Sequence, residues 1–251
     1  MRYCRAAIEG EEFYGVLENS KVRRLSGEPF SGCVFDGREY DMSQVKLLAP
    51  AVPTKVVAVG LNYRGHATEL EFELPEEPKI FLKPATAVIG PEEFIIMPMR
   101  SRRVDYEAEL AVVISKKCSH VSERDALAYV LGFTCLNDVT ARDLQKFDGQ
   151  WTRSKSFDTF CPIGPWIETD MKYDNAEITA RLNGRVCQSA RTSDMIFNAA
   201  RLVSFISGVM TLLPGDVIAT GTPEGIGPMK PGDTIEIEIE GIGVLRNRTR
   251  A

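Results

Sequence analysis

The segment Val104-Asp105-Tyr106-Glu107-Ala108-Glu109-Leu110-Ala111-Val112-Val113-Ile114 restricts the fold more than any other part of the chain. Side chains of a strand alternate between its two faces. One face here carries Val104, Tyr106, Ala108, Leu110, Val112 and Ile114. The other opens with Asp105, Glu107 and Glu109 and then turns apolar at Ala111 and Val113. A half-solvated strand keeps its outer face polar throughout. This one reads as buried on both sides, running from a wet rim into a dry interior, with two carboxylates roughly 7 Å apart along the chain near the boundary. Two anions that close need a cation, a shared proton or a partner base, because burial of unpaired charge costs several kcal/mol. A hard divalent metal is the simplest answer, and a salt-bridged rim is the plainer alternative.

The chain contains its own control. Thr234-Ile235-Glu236-Ile237-Glu238-Ile239-Glu240 also places glutamates at alternate positions, but they fill one face opposite a pure Ile face. That is the pattern of an ordinary half-solvated strand.

Composition narrows the function classes. A chain of 251 residues with 44% hydrophobic and 26% charged residues can bury a large core in one or two domains. The net charge of −5 argues against a general nucleic-acid binder. Arg100, Arg102 and Arg103 form a local basic patch, read as a solvated loop that could meet an anionic substrate. No apolar run approaches the ~20 residues of a membrane span, and the start of the chain lacks the apolar stretch of a signal peptide. The six cysteines contain no Cys-x-x-Cys pair, so zinc and redox motifs are unsupported and reduced thiols in a cytoplasmic setting are expected. With only two histidines, any metal here is expected to be bound by oxygen.

Residues 2–8 and 13–18 read as strands around an acidic turn near Gly10, with more short strands to about residue 40. Pro50 and Pro53 mark a linker-like stretch, which gives a small β module over residues 1–52 and a main domain over 53–251. Strands are expected near 55–60, 79–83 and 104–115. Ser122-Glu123-Arg124-Asp125 resembles a capping box and predicts a helix that stops at Gly132. A second helix is predicted from Asp194 to Ser207, carrying a stripe of Met195, Ala199, Leu202, Val203 and Ile206 and ending at Gly208. Two Pro-Gly-Asp turns, at 214–216 and 231–233, precede strands. Strands outnumber helices without alternating with them, so the class is α+β and β-rich rather than a βαβ parallel sheet.

A third acid, Asp138, follows an apolar run in Cys135-Leu136-Asn137-Asp138 and would complete an oxygen site of the kind magnesium prefers. An Asn-Asp pair alone is commonly a turn or cap. His66 and Glu69 stand three apart and share a face if their segment is helical. A carboxylate beside an imidazole raises its basicity, which suits a general base. A surface pair on a loop is the alternative. His120, in a polar stretch, reads as a surface histidine, and nothing local distinguishes Lys155 from a solvated lysine. The glycine-rich turn Gly221-Thr222-Pro223-Glu224-Gly225-Ile226-Gly227 offers free N–H groups that could hold a carboxylate, and it matches neither a P-loop nor a dinucleotide fingerprint.

Several ordered motifs together resemble the fumarylacetoacetate hydrolase family. They are Gly60-Leu61-Asn62-Tyr63 with His66 and Glu69, Phe81-Leu82-Lys83-Pro84, Asp105-Tyr106-Glu107-Ala108-Glu109-Leu110, and Asn137-Asp138-Val139-Thr140-Ala141-Arg142-Asp143-Leu144-Gln145. Lys155-Ser156-Phe157-Asp158, Gly164-Pro165-Trp166, Pro214-Gly215-Asp216 and Thr220-Gly221-Thr222-Pro223 complete the set. The likeness runs from about residue 55 to about residue 247, and the N-terminal module looks like that of the smaller bacterial and archaeal members. It implies a mixed β-roll or β-sandwich fold and a homodimer. It implies a Mg²⁺ or Mn²⁺ site at Glu107, Glu109 and Asp138, and a His66–Glu69 dyad on a lid that includes the acidic stretch 70–77, itself without fixed structure. Lys155 would neighbour the metal and stabilise an enolate, and Arg142, Gln145 and Thr222 would contact substrate oxygens. No position departs from the pattern, so a catalytically dead relative is not indicated.

The reaction expected first is hydrolysis of a carbon–carbon bond in a 2,4-dioxo acid, of acylpyruvate or fumarylacetoacetate type, with the metal as Lewis acid and His66 activating water. Oxaloacetate decarboxylation, and isomerisation or decarboxylation of hydroxymuconate-type diacids (the hydroxyheptadienedioate and carboxymethyl-hydroxymuconate reactions), would use the same residues. A non-enzymatic alternative is a protein that only binds a metal–oxo-acid complex.

Overall fold

Period-two alternation of apolar residues, reinforced by Val, Ile and Thr, commits most of this chain to strands, and the architecture is α+β with strands dominant. The computed structural model describes residues 1–69 and 73–251, so Leu70, Glu71 and Phe72 of the acidic stretch lie outside the described residues. The order begins β1 (Arg2–Ile8), β2 (Glu11–Glu18), β3 (Lys21–Leu25), β4 (Phe35–Asp41) and β5 (Lys46–Leu48). It continues with β6 (Val56–Gly60), α1 (Arg64–Glu69), β7 (Lys79–Lys83), β8 (Val88–Ile89), β9 (Phe94–Ile96), β10 (Val104–Tyr106) and β11 (Ala108–Ile114). Next come β12 (Val130–Asn137), β13 (Thr140–Ala141), α2 (Arg142–Asp148), α3 (Thr152–Lys155), β14 (Cys161–Glu168), β15 (Glu177–Leu182) and β16 (Arg185–Arg191). The chain ends with α4 (Ala199–Val209), β17 (Val217–Ala219), β18 (Gly227–Met229), β19 (Thr234–Ile239) and β20 (Gly243–Arg250).

A 12-stranded sheet runs β4-β3-β2-β1-β14-β12-β11-β17-β6-β7, with β5 on β1 and β8 on β14. Its N-terminal strands join the rest through β1, which pairs antiparallel with β14. Five strands, β16-β15-β19-β20-β9, form a second sheet, and β13-β10-β18 a third. Most pairings are antiparallel, and β17–β6, β14–β8 and β20–β9 are parallel. Among the described residues no helix is long and apolar enough to cross a membrane.

β11 sits centrally between β12 and β17 and is buried along its whole length. Leu110, Val112 and Ile114 enter one apolar cluster with Ile178, Leu202, Ile206 and Ile237. Ala111 and Val113 enter a second with Val56, Ile163 and Val217. This is the two-sided burial expected from the sequence. The continuity is not: the strand breaks at Glu107, between β10 in the third sheet and β11 in the first. The Asn137-Asp138 corner fills the break. Asn137 Oδ1 accepts from Glu107 N at 2.9 Å, and Asp138 N donates to Glu107 O at 2.9 Å. Nor is there a wet rim, since Asp105 is fully buried.

Both predicted helices are corrected. Ser122 Oγ does bond Asp125, at 2.7 Å, but only a 3-10 turn over Ala126–Tyr129 follows, and the chain then enters β12. Gly132 is no helix stop. It lies within β12, where a Cβ would come 2.4 Å from the carbonyl oxygen of Glu168 on β14. Pairing of the β-forming run 130–137 with β11 outweighs the local cap. Gly132→Ala is therefore expected to cost about 2 kcal/mol or more through overpacking, a fall in melting temperature of roughly 4–8 °C. An unchanged thermal unfolding curve would contradict this account. The second helix starts later than predicted, at Ala199, because Asn198 caps it by accepting from Arg201 N. Met195 lies before the helix and bridges to Tyr63, and Gly208 is inside it. The stripe of Ala199, Leu202, Val203 and Ile206 is buried as read. The control strand β19 alternates buried isoleucines with half-buried glutamates.

Candidate active site and metal centre

The break at Glu107 gathers the acids. Glu107, Glu109 and Asp138 each present an oxygen within 4.8 Å of the others, and all three are buried. Glu107 Oε1 accepts from Thr140 Oγ1 at 3.1 Å and pairs with Arg142 Nη2. Glu107 Oε2 accepts from Lys155 Nζ at 2.8 Å, and the same ammonium donates to Asp138 Oδ2 at 2.6 Å. Lys83, fully buried, spends its three donors on Asp138 Oδ1 (2.5 Å), the carbonyl of Lys155 (2.6 Å) and that of Val139 (3.4 Å). Arg142 is itself held by Asp105 through Nε at 2.9 Å and donates to Gln145 Oε1 at 2.6 Å.

Two of the three acids thus have cation partners and one does not. Glu109 accepts a hydrogen bond from Gly221 N at 2.7 Å, and among the described residues no lysine or arginine pairs with it. Burial, and then the charges of Asp138 and Glu107, push the Glu109 carboxyl well above the usual range. Burial also pushes Glu107 upward, but Lys155 and Arg142 outweigh it and hold that carboxyl well below its ordinary value. Lys155 stays charged because Asp138 and Glu107 overcome the effect of its burial.

This donor set fits a divalent cation. It is all oxygen, it converges, and it leaves one buried carboxylate for which a hard ion would be the counter-charge. Lys155 shares two of the acids with that position, and carboxylate oxygens have the extra lone pairs to serve both.

The dyad lies beside this cluster. α1 makes the segment helical, the condition on which the two residues share a face, and His66 Nδ1 lies 3.0 Å from Glu69 Oε2. A carboxylate can only accept, so this contact orients Nδ1 as the donor and leaves Nε2 on the other side of the ring. Glu69 Oε1 accepts from Gly225 N at 3.1 Å. The glycine-rich turn therefore does hold carboxylates, and both belong to the chain itself.

A cavity of about 370 Å³ joins these groups, a size suited to a small organic acid. His66, Glu107, Glu109, Asp138, Arg142, Gln145, Lys155 and Thr222 all line it. Glu69 reaches it only through His66. Phe81 and Trp151 form an apolar wall, edge to face at 5.2 Å, and Trp151 lies so close to Gly60 that a Cβ there would meet its ring at 2.4 Å. The other expectations sort simply. His120 is exposed. The arginine patch stays out of the cavity, with Arg103 bonded to Asp105 at 2.9 Å and Arg102 N donating to Asp143. The plain reading of Lys155 as a solvated lysine is overturned, because it is 2% exposed.

Residues 55–250 match the fumarylacetoacetate (FAA) hydrolase C-terminal family, and residues 1–50 match the Rv2993c-like N-terminal family. The chain belongs to the fumarylacetoacetate hydrolase family. Its relatives in that family include a protein of Archaeoglobus fulgidus, 58% identical over 85% of this chain and 86% of the other. The mitochondrial oxaloacetate tautomerase Fahd2a of Rattus norvegicus is 45% identical over 82% of this chain and 70% of its own length. A crystal structure described as 5-carboxymethyl-2-hydroxymuconate delta-isomerase from Mycobacterium smegmatis superposes with a TM-score of 0.95 at 45% identity, covering 100% of this chain and 99% of that one. The family is one of enzymes, and its fold is the β-rich one described above.

Three groups around this cavity had no role assigned from the sequence. Lys83 sits in one of the matching motifs, where its only signal is a lysine that follows the apolar run Ile80-Phe81-Leu82 and precedes Pro84. Asp105 was legible as part of the acidic face, but its service to Arg142 was not. Trp151 had no signal at all.

Proposed function

We propose that this chain is a divalent-metal-dependent enzyme that carries a 2-oxo acid through its enolate, with His66 as the proton-transfer base. The observation behind this reading is the single uncompensated carboxylate, Glu109, in a buried acid triad that shares its cavity with an intact His66–Glu69 dyad. Mg²⁺ or Mn²⁺ held by Glu107, Glu109 and Asp138 would supply Lewis-acid polarisation of the substrate's 2-oxo oxygen. Arg142, Gln145 and Thr222 would hold the carboxylate end of the substrate. Lys155 would place positive charge where the enolate develops. His66 Nε2 would take the proton, while Glu69 stabilises the imidazolium that results.

Two reactions use this machinery. Proton transfer alone, as tautomerisation or isomerisation of a 2-oxo diacid, is the reading we favour. The names of the rat tautomerase and the mycobacterial isomerase, both 45% identical, support it. Hydrolysis of a carbon–carbon bond in a 2,4-dioxo acid would instead have His66 draw the proton from water, and the dyad supports that reading equally. The experiment is a panel of oxaloacetate, acetylpyruvate, fumarylacetoacetate and hydroxymuconate analogues, each run with Mg²⁺ and with chelator. No turnover of any of them would reject the proposal.

His66→Gln separates the dyad's chemistry from mere binding. It is expected to slow tautomerisation and hydrolysis by about 10²–10⁴ while sparing simple decarboxylation of oxaloacetate. Steady-state rates within a few-fold of the wild type on every substrate would remove His66 from the mechanism.

A further inference from the structure

Glu109 on β11 and the glycine-rich turn that follows β17 belong to paired strands of one sheet, and a buried side chain from another sheet bonds both segments. Gln188 lies on β16 and is 2% exposed. Its amide can be oriented in one way only. Ala108 N can only donate, and it lies 2.9 Å from Oε1. The carbonyl of Pro223 can only accept, and it lies 2.8 Å from Nε2. Ala108 is the residue between Glu107 and Glu109, so Gln188 grips the backbone of the acid pair itself.

The same Nε2 donates to Thr222 Oγ1 at 2.9 Å, with the carbonyl of Glu224 at 3.4 Å. A hydroxyl has one proton. Because Gln188 fixes Oγ1 as an acceptor on its side, that proton must point elsewhere, and among the described residues no acceptor takes it. Thr222 lines the cavity. We infer that Gln188 is a positioning residue: it turns the Thr222 hydroxyl into a donor aimed at a substrate carboxylate oxygen and sets it in fixed register with the metal-binding glutamates. β16 supports this from below, since Gly225 approaches Cys187 so closely that a Cβ there would meet its carbonyl oxygen at 2.3 Å. The inference rests on the 2-oxo acid reading given above and adds a residue from outside the cavity wall to it.

The test is calorimetric titration of oxalate, a small planar dicarboxylate, into the full chain with Mg²⁺ present, so it reads binding rather than turnover. Gln188→Glu keeps the acceptor for Ala108 N but cannot donate, which turns the Thr222 proton away from the cavity. Gln188→Met removes both functions. Each is expected to weaken oxalate binding about tenfold or more, the worth of one hydrogen bond to a charged group. Thr222→Val should do the same, and adding either Gln188 change to Thr222→Val should weaken binding no further. Thr222→Ser, which keeps the hydroxyl, should bind like the wild type. Wild-type affinity in Gln188→Glu overturns the inference. So does an effect of Gln188→Glu that is just as large in the Thr222→Val background, because that would be a general structural loss. If the Gln188 variants do not fold, the pair at position 222 still decides, since equal affinity of Thr222→Val and wild type overturns it. Absence of oxalate binding by the wild type overturns the reading of the cavity itself, and the role of Gln188 with it.

Discussion

Glu109→Gln is expected to cut turnover by about 10²–10⁴, the several kcal/mol that a Lewis acid supplies at 1.36 kcal/mol per tenfold, and to make the metal-free protein more stable rather than less. Glutamine matches the shape of glutamate and still accepts from Gly221 N, so the hydrogen bond at 2.7 Å survives. What it lacks is the charge. In the metal-free protein that charge is a burden, because burial and the neighbouring Asp138 and Glu107 push the carboxyl upward. The sign follows from linkage. A folded state that holds a proton more tightly than the unfolded chain loses stability as pH rises toward and through the folded value. In chelator at mildly alkaline pH the variant should therefore melt above the wild type, by about 2–4 °C for each kcal/mol relieved. At mildly acidic pH the gap should narrow. Added Mg²⁺ should reverse the order. At a hundred times its dissociation constant the ion stabilises the wild type by about 2.7 kcal/mol, and the variant should gain little. Equal Mg²⁺-induced shifts in the two proteins would show that Glu109 is not a ligand.

The acid triad was legible because its signal is local. Alternation along 104–114 reports two-sided burial, and carboxylates on a buried face demand an explanation that the sequence itself poses. The dyad was legible for the same reason, since three-residue spacing becomes adjacency on any helical turn. What the sequence did not show depends on contacts between distant segments. The break at Glu107 exists because Asn137 occupies its N–H, which no pattern within 104–114 can reveal. The failed helix at Ser122 has a sound local cap, and only the pairing of residues 130–137 with β11 overrides it. Lys83 and Lys155 look like any solvated lysine until Asp138 is placed between them. Gln188 lies on a strand of another sheet, with nothing in its neighbours to mark it. Glu107, Glu109, Asp138, His66 and Glu69 were marked by residue type and spacing, Lys155, Arg142, Gln145 and Thr222 only by the family resemblance, and Asp105 and Gln188, which hold neighbours in place, had no role assigned by either.

Lys155→Met is expected to destabilise the metal-free protein by about 3–5 kcal/mol near neutral pH, the usual consequence of removing one partner from a buried ion pair. In a chain of this length that is a fall of roughly 6–20 °C in melting temperature. Methionine fills most of the volume beside Phe81, whose ring lies 5.2 Å from the ammonium, so lost packing contributes little. The electrostatic loss is large. Lys155 bonds Glu107 at 2.8 Å and Asp138 at 2.6 Å, and without it the three buried acids keep, among the described residues, only the ion pairs with Arg142 and Lys83. Burial opposes the low value of Glu107, and Lys155 is the first cause that overcomes it. A depressed carboxyl contributes stability above the ordinary carboxylate range and loses it as pH falls through the folded value. The difference between variant and wild type should therefore be widest near neutral pH and should shrink in acid, as the orphaned carboxylates take up protons. Mg²⁺ should rescue the variant more strongly than it stabilises the wild type, because Glu107 Oε2 and Asp138 Oδ2 would no longer be shared with an ammonium. The rescued protein should nevertheless turn over about 10²–10³ more slowly, since under the proposed mechanism the ammonium of Lys155 would stand where the enolate charge is to develop. Thermal unfolding across pH, with chelator and with Mg²⁺, separates the two effects. A variant that melts with the wild type in chelator near neutral pH would mean that Lys155 is not the counter-charge the triad relies on in the metal-free protein.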